Sequence, residues 1–376
     1  MLNLNTVMIL DIVFYIFIAV VLIQVFYYLG IFSRFAFAKK QQNTPRNIPV
    51  SIIVCAKNEE ENVKKLIPLL LNQAYPNFEI VLINDASSDH TLEVFKEYAA
   101  LHHNIKIVDV VNNEAFWGNK KYALTLGIKA AKNEFLLFTD ADCYPHSDQW
   151  ISEMTAGFSK TKTIVLGYGA YEKVKNSLLN KLIRYETSLT AIQYFGWARS
   201  GNPYMGIGRN MAYKREEFFK TNGFINHMKI RSGDDDLFIN EAANSKNTSI
   251  CFSQESFTYS EPKKKFSDWI RQKRRHVSTA GHYTFFDKAQ LALFFLSQFW
   301  FFILALILAI AGYNWIYLMA VIGFRYVVTW PAIGFSASKL KEKDTIYLYP
   351  ILEIMLIFIQ LNVFVSNMFS KPVHWK

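Results

Sequence analysis

The chain has 376 residues, 51% of them hydrophobic and 32 of them Phe, an apolar and aromatic load that argues against a purely soluble protein. A formal net charge of +10 points to something anionic, whether nucleic acid, a membrane surface or a phosphate-bearing substrate, and does not choose among them. Cys55, Cys143 and Cys251 stand far apart, without the paired spacing of a zinc site or redox motif, and read as reduced cytoplasmic thiols.

From Val7 to Phe32 the sequence is almost wholly Ile, Val, Leu, Phe and Tyr, long enough for a transmembrane helix. The run is too long for a cleaved signal peptide, and no basic residue precedes it. Arg34, Lys39, Lys40 and Arg46 follow, and this excess of cations places the next segment in the cytoplasm. Residues 1–33 are thus an amino-terminal anchor and 34–48 a basic linker. Residues 49–288 read as mixed α/β, with β-branched runs at Val50–Val54, Glu79–Ile83 and Ile105–Val110 alternating with helical patterns. That alternation predicts a largely parallel, Rossmann-like sheet with ligands at the carboxyl ends of its strands. Near 263–282, Lys263, Lys264 and Lys265 precede Phe266 and Trp269 at helical spacing, an amphipathic basic segment suited to anionic membrane lipids. No nucleic-acid recognition module accompanies it, so nucleic acid is not expected as a partner.

Residues 289–376 return to apolar character, with spans at Leu291–Ala311, Trp315–Gly334 and Thr345–Phe369. Trp300, Trp315 and Trp330 suit interfacial anchoring, and Lys339, Lys341 and Lys343 mark the loop before the last span as cytoplasmic. Four crossings would then put Lys371 and Lys376 outside, against the charge rule, and would carry Arg325 and Glu353 through hydrocarbon at a cost. A re-entrant or interfacial segment in this carboxy-terminal region would remove the conflict.

The chemistry concentrates in carboxylates. Phe135–Phe138 is an apolar strand running into Thr139-Asp140-Ala141-Asp142, and residues two apart in an extended chain share a face, so both carboxylates can meet one hard cation. A solvated turn has the same sequence. Val81-Leu82-Ile83-Asn84-Asp85 is a second strand with a carboxylate end, followed by Ser87, Ser88 and Asp89, which can cap the next helix. Asp234, Asp235 and Asp236 crowd together before an apolar helical pattern, which implies cations, shifted pKa values or a helix amino terminus that favours negative charge.

These segments together, Pro49 to Glu59, Ile83 to Thr91, Lys120 to Leu124 and Thr139 to Asp142 in that order, resemble the inverting family-2 glycosyltransferases of the GT-A fold, membrane-anchored bacterial type. Gly233-Asp234-Asp235 is similar to the family's acidic pair. Gln272-Lys273-Arg274-Arg275-His276 is similar to its QxxRW motif, with His276 where Trp is usual. The resemblance implies that Ala56, Glu59 and Asp85 hold the nucleoside end of a nucleotide-sugar donor with Lys120 and Asp140 beside it. Asp140 and Asp142 would bind Mg²⁺ or Mn²⁺ on the diphosphate. Asp235 would act as the base assisted by Asp234, and Asn210, Gln272, Arg274, Arg275 and His276 would line the acceptor or the leaving diphosphate. Gly206 and Gly208 would let backbone approach a sugar, although a plain turn would use them equally.

The resulting expectation is a hexosyltransferase of the bacterial inner membrane, catalytic domain cytoplasmic, moving a sugar from a UDP-sugar to a lipid, lipid-linked or glycan acceptor in envelope biosynthesis. A processive polysaccharide synthase is the near alternative, and a non-catalytic membrane scaffold of the same fold the distant one. A sugar nucleotidyltransferase would open on a Gly-rich phosphate loop, where this chain has Ala56-Lys57-Asn58-Glu59.

Overall fold

A computed structural model describes residues 4–40, 47–111, 120–230 and 232–370. Helix α1 (Leu4–Val25) continues through a π-helical stretch, Phe26–Phe32, into α2 (Ser33–Ala36). The α/β region then runs β1 (Val50–Ala56), α3 (Glu60–Leu71), β2 (Phe78–Asp85), α4 (Thr91–Leu101), β3 (Ile105–Val110), α5 (Lys120–Ala130), β4 (Phe135–Asp140) and β5 (Cys143–Pro145). It continues with α6 (Trp150–Ala156), β6 (Ile164–Leu166), β7 (Gly169–Tyr171), α7 (Leu178–Arg199), β8 (Met211–Lys214), α8 (Arg215–Lys220), α9 (Asp236–Ala242), β9 (Thr248–Ile250), β10 (Thr258–Ser260) and α10 (Phe266–Ala280). Three long helices close the chain: α11 (Phe285–Ile310), α12 (Trp315–Lys339) and, after a 3₁₀ turn at Lys343–Leu348, α13 (Tyr349–Phe369).

Seven strands form one sheet in the order β3-β2-β1-β4-β8-β6-β9. The first four are parallel, β8 runs antiparallel to both β4 and β6, and β9 pairs parallel with β6. Parallel strands are covered on both faces, so their side chains are apolar on both. In β2, Ile80 and Leu82 join one core with Val63, Leu66 and Phe95 of α3 and α4, while Val81 and Ile83 face Leu124 and Ile128 of α5. The order reverses between β1 and β4, which leaves a crevice at their carboxyl ends. A small second sheet, β5-β10-β7, packs beside it.

Four helical stretches, Met8–Ala36, Phe285–Ile310, Trp315–Lys339 and Lys343–Phe369, are long and apolar enough to cross a membrane. At the end far from the α/β region, Tyr313 donates to Asp11 (3.0 Å) and stacks on Phe14, joining the α11–α12 turn to α1. At the near end Lys339 donates to the Ala38 carbonyl, and buried Arg184 of α7 binds Glu342 and Asp344 beyond α12. Arg325 and Glu353 are fully buried and pair with each other, with Gln24 and Gln298 completing their hydrogen bonds. Such pairing offsets much of the cost of taking both charges out of water.

Helix α13 touches the α/β region at both ends. Its first residue, Tyr349, packs on Tyr185 of α7 with ring centroids 6.1 Å apart, and near its other end Asn367 accepts from Arg274 of α10 at 2.9 Å. Both ends therefore meet the α/β region. Lys371 and Lys376, on which the charge conflict of a four-crossing arrangement rests, lie outside the described residues.

Candidate active site

The crevice is built from strand ends. Pairing of Cys55 with Asp140 and of Ala56 with Asn84 brings the carboxyl ends of β1, β2 and β4 level, so Asp85 and Asp140 flank the end of β1. The loops after β1 and β2 are laced together. Asn58, at φ +54°, takes hydrogen bonds with Ser87 and Ser88, the Glu59 amide donates to Thr91 (3.0 Å), and the Glu60 amide to Asp89 (3.2 Å). Asp89 thus serves the first turn of α3 as well as Thr91 of its own helix. Asp85 is buried, which raises its pKa against the opposing pull of Lys57 and Lys120.

Lys120, at the start of α5, joins the two acidic clusters. Its ammonium lies 2.8 Å from Asp140 Oδ1 and 2.9 Å from Asp234 Oδ2. Burial works against the charge, but these two carboxylates hold the ammonium well above its ordinary pKa. Asp234 is likewise kept below the usual range by Lys120 despite its burial. Asp235 caps α9, accepting from the Asp236 amide (2.8 Å) and from the Gly208 amide (2.6 Å). A Cβ on Gly208 would sit 3.3 Å from that Asp235 oxygen, so the close approach favours glycine. Burial first, then Asp234 and Asp236, push Asp235 up to about 7. Asp236 turns the other way, accepting from Thr279 (2.5 Å) and Tyr283 (2.6 Å), and so ties α9 to α10 and the start of α11.

The side chains of Asp140, Asp142 and Cys143 bring ligand atoms within 4.8 Å of one another. Burial holds the Cys143 thiol well above its ordinary pKa, so the two carboxylates are the hard donors that a divalent cation would use. The recess between β1 and β4 is lined by Cys55, Lys120, Thr139, Asp140, Gly208 and Asp234.

The motif on α10 divides. Gln272 reaches the Tyr171 hydroxyl (3.4 Å), and Lys273 pairs with Glu186 of α7 (2.5 Å). His276 is open to solvent at the rim, yet its enclosure by protein and then the cations Lys273, Arg275, Arg209 and Lys120 hold its pKa well below the ordinary value. Arg274, expected beside the acceptor, instead binds Asn367, Ser366 and Ser370. Asn210, expected at the same place, is fully buried, accepting from Trp150 (3.0 Å) and donating to Tyr168 (2.8 Å) and Ser256 (2.7 Å). Every polar atom of its amide is engaged in framework bonds. Its neighbour Arg209, which sequence reasoning passed over, lies 4.4 Å over the Tyr171 ring and donates to Ser260 and Gly169. The GIGRN motif was a signal for it, since adjacent residues at a strand entrance point to opposite sides.

A crevice at the reversal of a 3-2-1-4 sheet, with carboxylates from β2, β4 and α9 gathered around one lysine, defines a GT-A glycosyltransferase domain. Residues 51–235 match the family model for glycosyl transferase family 2. The fold is similar to that of a Pyrobaculum calidifontis mannosyltransferase solved with GDP-mannose and Mn²⁺, at a TM-score of 0.55 and 16% identity over 90% of this chain and 99% of that one. Among curated relatives, a poly-β-1,6-N-acetyl-D-glucosamine synthase of Staphylococcus epidermidis is 35% identical over 30% of this chain and 25% of its own length. A Methanococcus voltae dolichyl N-acetyl-α-D-glucosaminyl phosphate 3-β-D-2,3-diacetamido-2,3-dideoxy-β-D-glucuronosyltransferase is 30% identical over 40% of this chain and 49% of its own. The chain thus spans between a quarter and half of the length of these two relatives.

Proposed function

We propose that the protein is an inverting hexosyltransferase moving a sugar from a nucleotide-diphosphate donor, a UDP-sugar, to a lipid or lipid-linked acceptor at the cytoplasmic face of a bacterial inner membrane. The observation that carries this reading is Lys120 bound to both Asp140 and Asp234, with Asp235 the next residue, which supports a cation site and a base at one crevice. Ala56, Glu59 and Asp85 would meet the nucleoside end. Asp140 and Asp142 would hold Mg²⁺ or Mn²⁺, which neutralises charge on the departing diphosphate when bound.

Asp235 is half-buried and held by two backbone amides, so it is oriented and still reachable by an acceptor hydroxyl. The acceptor oxygen attacks the anomeric carbon, the bond to the diphosphate oxygen breaks, and the hydroxyl proton passes to Asp235. Its raised pKa suits that task near neutral pH. Gln272, Arg275 and His276 would steady the acceptor or leaving group. His276 stays neutral there, able to donate and accept hydrogen bonds without adding charge.

Similarity to the polysaccharide synthase favours a second reading, processive polymerisation, over the part of the chain it covers. Incubating membranes that contain the protein with radiolabelled UDP-sugars and separating lipid-soluble from polymeric label tests both. Lipid-soluble label that disappears in Asp235→Asn is expected. Polymeric label alone would select the second reading, and no incorporation from any donor would overturn both.

A further inference from the structure

The residue after Lys120 has no part in the mechanism above. We infer that Lys121 is a positioning residue, the anchor that holds the backbone at His227, Ile230 and Ser232 and, through it, Asp234 and Asp235 against the crevice; this rests on the transferase reading just given.

Successive helical residues point about 100° apart, so two adjacent lysines at the start of α5 serve different partners. Lys120 reaches the carboxylates, whereas Lys121 is 1% exposed and points at the segment between the 3₁₀ turn Ile225–His227 and α9. Its ammonium donates to the carbonyls of His227 (2.8 Å), Ile230 (2.9 Å) and Ser232 (2.8 Å). An ammonium has three N–H donors, and three carbonyls of one irregular segment use them. Buried carbonyls outside helices and sheets need such partners, and here one cation gathers them.

The geometry carries forward along the chain. Ser232 is followed by Gly233 at φ +90°, a left-handed turn, and then by Asp234 and Asp235. Lys120 holds Asp234 by its side chain, and Lys121 holds the backbone two residues earlier. The base is therefore fixed from both directions. Without Lys121 the crevice-facing side chains all remain, but the approach of the segment to them is no longer set. Small misplacements of a reacting group cost about 100-fold in rate even when the chemistry is intact.

The test uses the full-length protein in detergent or nanodiscs, with radiolabelled UDP-glucose, UDP-galactose and UDP-N-acetylglucosamine as donors. Lys121→Met, which keeps the length and removes the donors, is expected to lower kcat about 100-fold while the donor KM and the affinity for UDP with Mn²⁺ stay unchanged. Amide hydrogen exchange over 227–232 should accelerate, and Lys121→Arg should restore most of the rate. Exposed Lys129 on the same helix provides the control, Lys129→Met, expected to behave as wild type. Wild-type kcat in Lys121→Met, or unaltered exchange over 227–232, overturns the inference. Should Lys121→Met not fold, Lys121→Gln, which keeps two donors, is read in the same way. A wild-type protein that transfers nothing would defeat the transferase reading, while the exchange measurement would still report on the anchor.

Discussion

The two sides of the crevice are made differently. The donor side consists of strand ends, β1, β2 and β4, whose carboxylates are positioned by parallel pairing and by cores on both faces of the sheet. The opposite side consists of a helix cap, an irregular segment and the basic helix α10, linked by Asp236 to Thr279 and Tyr283 and by Arg274 to α13. One side is set by the sheet, and the other by the lysines of α5 and by its ties to α10 and α13. A nucleotide would meet strand ends, and an acceptor would meet a cap and a segment held through side chains.

That contrast can be broken most forcefully at Asp235. Asp235→Asn should lower transfer on the order of 10³-fold with UDP binding retained, as removal of a general base does. With the native residue, kcat/KM should rise as pH climbs through about 7, because the carboxylate must be ionised to accept a proton and its pKa is raised. A flat profile across that range would remove Asp235 from the base role.

On the donor side, Asp142→Ala should weaken UDP binding by about tenfold or more in Mn²⁺, equivalent to some 1.4 kcal/mol, and little without the ion. Calorimetry in both conditions reads the difference, and equal affinities would reject the cation assignment.

The joint between α7 and the turn after α12 is probed by Arg184→Met, which leaves Glu342 buried without its partner. Breaking such a pair costs about 3–5 kcal/mol, visible as a lower melting temperature in detergent, and Glu342→Gln in the same background should recover part of it. The smallest effect belongs to Arg274→Ala. Because its guanidinium faces α13 and not the crevice, kcat should fall by less than about threefold, within the range expected for a change in one surface hydrogen-bond group. A loss comparable to that of Asp235→Asn would return Arg274 to the acceptor site.

What could be read from the sequence follows the same division. Strands β1, β2 and β4 and their terminal Asp85 and Asp140 are local features, a β-branched run ended by a carboxylate, and periodicity finds them unaided. The helix spans are legible for the same reason. The three-residue strands β6, β7, β9 and β10 are too short to show a period. Asn210 and Arg274 sit in motifs whose sequence is plain, but the direction each side chain takes is decided by partners 42 to 96 residues away, Tyr168, Ser256 and Trp150 for one and the end of α13 for the other. The contacts of α13 at its two ends depend likewise on Tyr185 and Arg274, which no local pattern announces.

The placement of α13 has a consequence for the other apolar helices. With both of its ends against the α/β region, α1, α11 and α12 remain in contact with one another away from that region, and they share one apolar cluster that includes Phe17, Phe301 and Leu318.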